Sequence, residues 1–258
     1  MPGLVSAAAR ARHDPGVVLW VVAGACWVLT ASLVVAGPAG AGHHGAAPGA
    51  APSSWFALLA VWLVMIGAMM LPTVVPMVRM FDVVSARAPR RAAVRAAFLA
   101  GYLAVWTGFA GVALLGDAAV DALVAAWAWL AARPGLVLGP ALLLAGAVQF
   151  SPLKNACLTA CRNPVGFLWQ HYRRGTAGAW RLGLRHGLSC LGCCWALMLV
   201  MVATGLGSLV WMVGLTVVMV IEKTAPRGAR LVVPVGIVLL VAGASLTLSA
   251  LLTPPAPA

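Results

Sequence analysis

Residues 185–202 read RHGLSCLGCCWALMLVMV, and this stretch carries the main signal for the fold. After the cysteines almost every residue is apolar, as expected of a helix that crosses a lipid bilayer. Three cysteines, Cys190, Cys193 and Cys194, crowd the start of this apolar run. The stretch therefore predicts a transmembrane helix and raises the question of why thiols cluster at one of its ends.

The composition of the whole chain agrees with a membrane protein. Of its 258 residues, 63% are hydrophobic and 9% are charged, whereas soluble domains carry about 25% charged residues. Several stretches reach the length of about 18 apolar residues that a transmembrane helix needs. We therefore expect an all-α fold, a polytopic transmembrane helical bundle.

The apolar stretches divide the chain into about seven candidate spans. These are residues 17–37, 55–81, 96–116, 136–157, 187–205, 208–221 and 231–252. Together they predict one transmembrane domain over 17–252, with its motifs in 55–225, a cytoplasmic tail over 1–16 and a disordered tail over 253–258. Residues 117–135 are expected to form an interfacial amphipathic helix or to dip into the bilayer.

The distribution of basic residues predicts the orientation. The formal net charge is +12, from 17 Lys and Arg against 5 Asp and Glu. With the N-terminus inside, every basic residue except Arg133 falls in a cytoplasmic segment, as the positive-inside rule requires. This predicts an N-in/C-out protein of the cytoplasmic (inner) membrane. Because no stacking aromatic residues accompany the arginines, we expect no nucleic-acid partner.

The cysteines form two clusters at one predicted depth. Cys157 and Cys161 are four residues apart and share a helix face at the inner end of the fourth span. Cys190 lies one turn before Cys193 and Cys194, at the inner end of the fifth span. Because the two spans follow each other in the chain, we expect the two clusters to meet.

Sulfur ligands favour a soft metal. Zinc prefers four Cys or His ligands, and the mixed Cys and Met supply favours Cu(I), although zinc stays possible. The candidate ligands are Cys157, Cys161, Cys190, Cys193, Cys194, Met69, Met70, Met77 and His186. Lys154 and Arg162 would offset the negative charge of bound thiolates, and Glu222, at an inner helix end, is expected to pair with Lys154.

Other interpretations remain open at this point. Cysteine is also a common packing residue in helices, and Cys190 with Cys193 forms a C-x-x-C pair that could serve a membrane thiol–disulfide oxidoreductase. Pro72 and Pro76 interrupt the second span, as in the broken helices of secondary transporters. The chain has no phosphate-binding loop of the type G-x-x-x-x-G-K-[ST], and no residue is assigned a catalytic role.

Four motifs resemble a known family. They are AMMLPTVVPM (68–77), SPLKNACLTACRNPVGFL (151–168), GLSCLGCCWALM (187–198) and the pair Glu222-Lys223. In these motifs the chain resembles the predicted metal-binding integral membrane proteins grouped as domain of unknown function 2182, which are described as copper-chaperone-like. The resemblance implies an inner-membrane protein that handles copper for delivery or transport, surrounded by lipid and working with a metal-donor or metal-acceptor protein. It also implies a supporting role for Lys223.

Overall fold

A computed structural model describes residues 14–36, 55–205 and 208–252. Within these ranges the chain contains helices and no strand, which confirms the predicted all-α class. The predicted disordered tail, 253–258, and most of the predicted N-terminal tail, 1–16, lie outside the described residues.

The described residues form ten α-helices and one short 3-10 helix. In chain order the α-helices are α1 (Pro15–Ala36), α2 (Trp55–Val84), α3 (Arg91–Ala126), α4 (Ala128–Ala131), α5 (Gly135–Gln149), α6 (Pro152–Arg162), α7 (Pro164–His171), α8 (Gly175–Ala203), α9 (Leu209–Thr224) and α10 (Val232–Leu252). The 3-10 helix, Gly228–Leu231, directly precedes α10.

Five helices are long and apolar enough to cross a membrane. They are α1, α2, α3, α8, and α10 together with its preceding 3-10 helix. The pair α5 and α6 passes the same test but bends by 66°, so it forms a sixth span if it is counted as one. The expected number of seven spans and the N-in/C-out orientation stay predictions.

Three predicted boundaries differ clearly from the structure. The helix that carries Cys190 begins at Gly175, twelve residues before the predicted start of the fifth span at residue 187. The segment predicted to be a separate interfacial helix continues α3 without a break as far as Ala126, because no proline interrupts it before the extended backbone of Trp127. The predicted fourth span is not straight. It stops at Phe150, and α6 begins anew with Ser151 as its N-cap and Pro152 in its first turn.

The helix α8 lies at the centre of the bundle. It packs against α3, α5, α6 and α9. A Cβ atom at Gly101 of α3 would clash with the backbone carbonyl of Trp180, and one at Gly183 of α8 would clash with that of Phe98. The two helices can therefore approach closely only because both positions lack a side chain.

Ion pairs fix the loops at the predicted cytoplasmic end. Asp82, which is buried, binds the side chains of Arg91 and Arg95 across the turn between α2 and α3. Asp14 precedes α1 and lies 2.9 Å from the Arg79 guanidinium. A hydrogen bond from the backbone N–H of Gly16 lowers the pKa of the Asp14 carboxyl group.

Candidate metal centre

The two predicted cysteine clusters meet where α6 packs against α8. The thiol of Cys161 on α6 lies near enough to the thiols of Cys190 and Cys193 on α8 to interact with them. All the cysteines are free, so no disulfide ties the two helices together. The three cysteines of α8 are almost fully buried, whereas Cys157 is only partly buried. Helix packing alone therefore brings sulfur atoms from two helices together.

Hydrogen bonds within α8 orient its thiols. Cys193 Sγ and Cys194 Sγ each donate to the backbone carbonyl of Cys190, over 3.0 Å and 2.9 Å. The Cys190 thiol itself is engaged elsewhere, 3.2 Å from the hydroxyl of Tyr102 on α3. Cys190 consequently contributes its carbonyl to its own helix and its sulfur to the centre of the bundle.

A buried lysine side chain reaches the same sulfur atoms. Lys223 Nζ, near the end of α9, lies 3.1 Å from Cys190 Sγ and 3.6 Å from Cys194 Sγ. It also lies 4.0 Å from Met70 Sδ on α2. We refer to Met70, Cys161, Cys190, Cys193 and Cys194 as the sulfur cluster. Four helices, α2, α6, α8 and α9, therefore contribute side chains to this centre.

The end of α9 is attached to α6. Lys154 Nζ lies 2.7 Å from Glu222 Oε2, and both side chains are almost fully buried. Arg162 donates to the backbone carbonyls of Glu222, Ala225 and Pro226, which terminate α9. These contacts hold the segment that carries Lys223 beside the cysteines of α6.

The other predicted ligands surround the cluster at different distances. A Cβ atom at Gly192 of α8 would lie 2.5 Å from Cys157 Sγ, so Cys157 packs directly on α8. His186 stacks on Tyr102 with ring centroids 5.9 Å apart, and its Nδ1 has no hydrogen-bond partner in the described residues. Met69 and Met77 are buried in the same core. Cys26, in contrast, lies on α1 against Gly67.

An open groove flanks the cysteines of α6. It has a volume of about 520 Å³ and lies between α6, α7 and α8. Its polar lining includes Thr159, Asn163, His171, Arg185 and Ser189. No cysteine lines the groove, but its residues Ala156 and Ala160 directly precede Cys157 and Cys161 in the chain.

Comparison with known proteins adds one match. A family model described as PpoB2, copper chaperone, matches residues 59–246, which include every side chain of the sulfur cluster. The chain belongs to this family. Membership in the copper chaperone family indicates copper handling and gives no support to the oxidoreductase alternative. No curated protein and no solved structure matches the chain.

Among the described residues, the centre holds no preformed site with three or more His, Cys, Asp or Glu ligands. The thiols therefore meet without surrounding a common three-ligand position. The sulfur atoms gathered here are donors that suit a soft metal ion.

Two features of the centre were not predicted. Tyr102, which contacts Cys190, lies 88 positions earlier in the chain, and nothing in its local sequence indicates a role at the site. The contact between Lys223 and the thiols was also missed, although a lysine beside Glu222 at a buried helix end is a signal that could have indicated it.

Proposed function

We propose that this member of the copper chaperone family is an inner-membrane protein that binds Cu(I) at its cytoplasmic end and passes it to a partner. In this proposal the chain crosses the bilayer seven times with its N-terminus inside. The seven spans are the five long helices, the bent pair α5–α6, and α9. Lipid and a metal-donor or metal-acceptor protein are its partners.

The approach of the cysteines of α6 to those of α8 carries the proposal: Cys161 lies near Cys190 and Cys193, and Cys157 packs against Gly192. It brings thiols from two helices together inside the bundle, beside the Lys223 ammonium group and the Tyr102 hydroxyl. Packing requires none of these sulfurs to meet, since alanine or valine would fill the same volume. A paired set of soft donors is what Cu(I) requires in a protein.

Cu(I) would be held by one thiolate from each helix. Cys161 supplies the ligand from α6, and Cys190 supplies the ligand from α8, with Cys193 beside it. Met70 adds a thioether from α2, and Cys194 flanks the α8 thiolate. Met69, Met77 and His186 serve as auxiliary groups in the surrounding core.

Cys157 is suited to the transfer of the ion. It lies one helical turn before Cys161 and is more accessible than the thiols of α8. Cu(I) would arrive bound to thiolates of a donor protein. Cys157 would lose its proton and form a new Cu–S bond while one donor thiolate leaves, and Cys161 would then displace the next, so that the ion moves inward from one sulfur to the next. The groove beside α6 offers the space for the partner's ligand.

Metal analysis of the purified protein tests the proposal. Cu(I) would be added under anaerobic conditions to protein in detergent, and bound copper would be measured by mass spectrometry. We expect the wild type to retain copper and the Cys161→Ser/Cys190→Ser variant to lose it.

The variant Cys26→Ser provides a matched control, because Cys26 lies on α1 against Gly67 and away from the cluster. It should retain as much copper as the wild type. Equal copper content in the wild type and in the double variant would refute the proposal.

A further inference from the structure

Lys223 places a fixed positive charge against the sulfur cluster. Its three ammonium N–H groups face three sulfur atoms, Cys190 Sγ at 3.1 Å, Cys194 Sγ at 3.6 Å and Met70 Sδ at 4.0 Å. The side chain is buried, with 6% of the residue exposed. A buried ammonium group is tolerated only where neighbouring groups offset its charge.

Among the described residues, Lys223 forms no ion pair with a carboxylate, and the adjacent Glu222 interacts more strongly with Lys154. Glu222 already pairs with Lys154 at 2.7 Å, and the two form a neutral, buried unit. Arg162 binds backbone carbonyls at the end of α9 and lies partly exposed. The nearest groups able to carry the opposite charge are therefore the thiols of α8.

From this charge balance we propose that Lys223 determines which metal charge the centre accepts. This inference rests on the proposed function. Two coordinating thiolates carry two negative charges, and Lys223 supplies one positive charge. A monovalent ion then makes the buried centre neutral, whereas a divalent ion leaves one positive charge without a partner. Because an uncompensated charge is strongly disfavoured inside the bundle, Lys223 selects Cu(I) over Zn(II).

While the metal is bound, Lys223 keeps its position beside Cys190. A thiolate that binds one metal ion keeps lone pairs that can accept hydrogen bonds, so the ammonium group can stay beside Cys190 Sγ. Met70 and Cys194 hold the other N–H groups. Lys223 is thus a positioning and charge-setting residue and does not bind the metal itself.

The test compares two dissociation constants in each variant. Competition with chelators of known affinity would give the constants for Cu(I) and Zn(II) in the wild type and in Lys223→Gln. We expect the preference for Cu(I) over Zn(II) to fall by at least about tenfold in Lys223→Gln. Lys223→Arg, which keeps the charge, should retain most of the preference.

A matched control removes one positive charge near the same end of α9 without touching the sulfur cluster. Arg227 is exposed, and Arg227→Gln should keep the preference of the wild type. Circular dichroism would check that each variant is folded. If Lys223→Gln does not fold, Lys223→Met offers an unbranched apolar side chain for the same buried position, and the same loss of preference is expected.

Two outcomes would overturn the inference while leaving the proposed function intact. One is an unchanged metal preference in folded Lys223→Gln or Lys223→Met. The other is tighter Cu(I) binding in those variants, which would mean that the ammonium group competes with the metal for the thiols. If the wild type binds no Cu(I), the proposed function itself fails, and the two failures are thereby distinguished.

Discussion

At the scale of single residues, Cys190 connects more of the centre than any other side chain described above. Its carbonyl accepts hydrogen bonds from Cys193 and Cys194, and its sulfur contacts Tyr102 and Lys223. Within α8 the same residue therefore orients its neighbours and faces three other helices. Its replacement would disturb the geometry of the centre as well as remove a ligand, which is why the copper test pairs it with Cys161.

Gly192 provides a test of packing at the residue scale. Since a Cβ atom there would lie 2.5 Å from Cys157 Sγ, Gly192→Ala should force this thiol to rotate away from α8. We expect a loss of stability of about 1 kcal/mol, at the lower end for overpacked cores, and faster alkylation of Cys157. Peptide mapping by mass spectrometry after timed labelling with maleimide would measure the rate.

The control for this substitution is Gly111→Ala on α3. A Cβ atom at Gly111 meets no atom within 4 Å, so the alkylation of Cys157 should match that of the wild type. An unaltered alkylation rate in Gly192→Ala would show that Cys157 does not pack on α8 in the way described.

At the scale of helices, the ion pair between Lys154 and Glu222 joins α6 to α9. Removal of one partner leaves a buried charge without compensation, which costs about 3–5 kcal/mol in proteins. We therefore expect Lys154→Gln to lower the melting temperature in detergent markedly. Lys154→Gln/Glu222→Gln should recover most of this loss, because it leaves no net charge behind.

Thermal unfolding followed by circular dichroism would measure these differences. Arg227→Gln is a suitable control, because Arg227 is an exposed basic residue near the same end of α9. The melting temperature of this variant should stay close to that of the wild type. A double variant as unstable as Lys154→Gln would indicate that the two charges do not act as a pair.

The helices also show which parts of the structure the sequence could predict. The shared face of Cys157 and Cys161, together with the position of Cys190 one turn before the other thiols, predicted two sulfur-bearing helix ends. Cys161 does lie at the end of α6, but α8 begins at Gly175, so Cys190 lies in its middle. The bend before α6 was missed because the apolar run continues through Phe150, although Ser151 and Pro152 together are typical of a helix start.

The contacts between distant segments were harder to predict. Tyr102 reaches Cys190 only because Gly101 and Gly183 let α3 and α8 approach closely. Helix periodicity specifies the face on which a residue lies, but it does not specify which helix packs against that face. The approach of Lys223 to the thiols depends in the same way on how α9 is held against α6.

At the scale of the whole molecule, the number of spans determines where the two chain ends lie. The helix α9 has 16 residues and is about 24 Å long, shorter than the hydrocarbon core of about 30 Å. If α9 crosses the membrane in addition to the five long helices and the bent pair, the two ends of the chain lie on opposite sides of the membrane. If α9 does not cross, both ends lie on the same side of the membrane.

Vesicle labelling would establish the orientation. Single cysteines would be added at two exposed positions, Arg174→Cys before α8 and Ala132→Cys after α4. A membrane-impermeant maleimide should label Arg174→Cys in inside-out vesicles and Ala132→Cys in right-side-out vesicles, because the basic segments stay cytoplasmic. Labelling of the parent protein would be subtracted, and the reverse pattern would contradict the proposed N-in topology.

The hydrogen bonds of Arg162 have a mechanical consequence. Arg162 follows Cys161 in the chain, and its guanidinium group donates hydrogen bonds to the backbone carbonyls at the end of α9. These bonds couple α6 to the end of α9 that carries Lys223. Any displacement that draws Cys161 away from α8 must also draw Lys223 away from Cys190. In the proposed function, the release of Cu(I) by Cys161 and the withdrawal of the Lys223 ammonium group would then occur together, in one movement of α6 and α9 relative to α8.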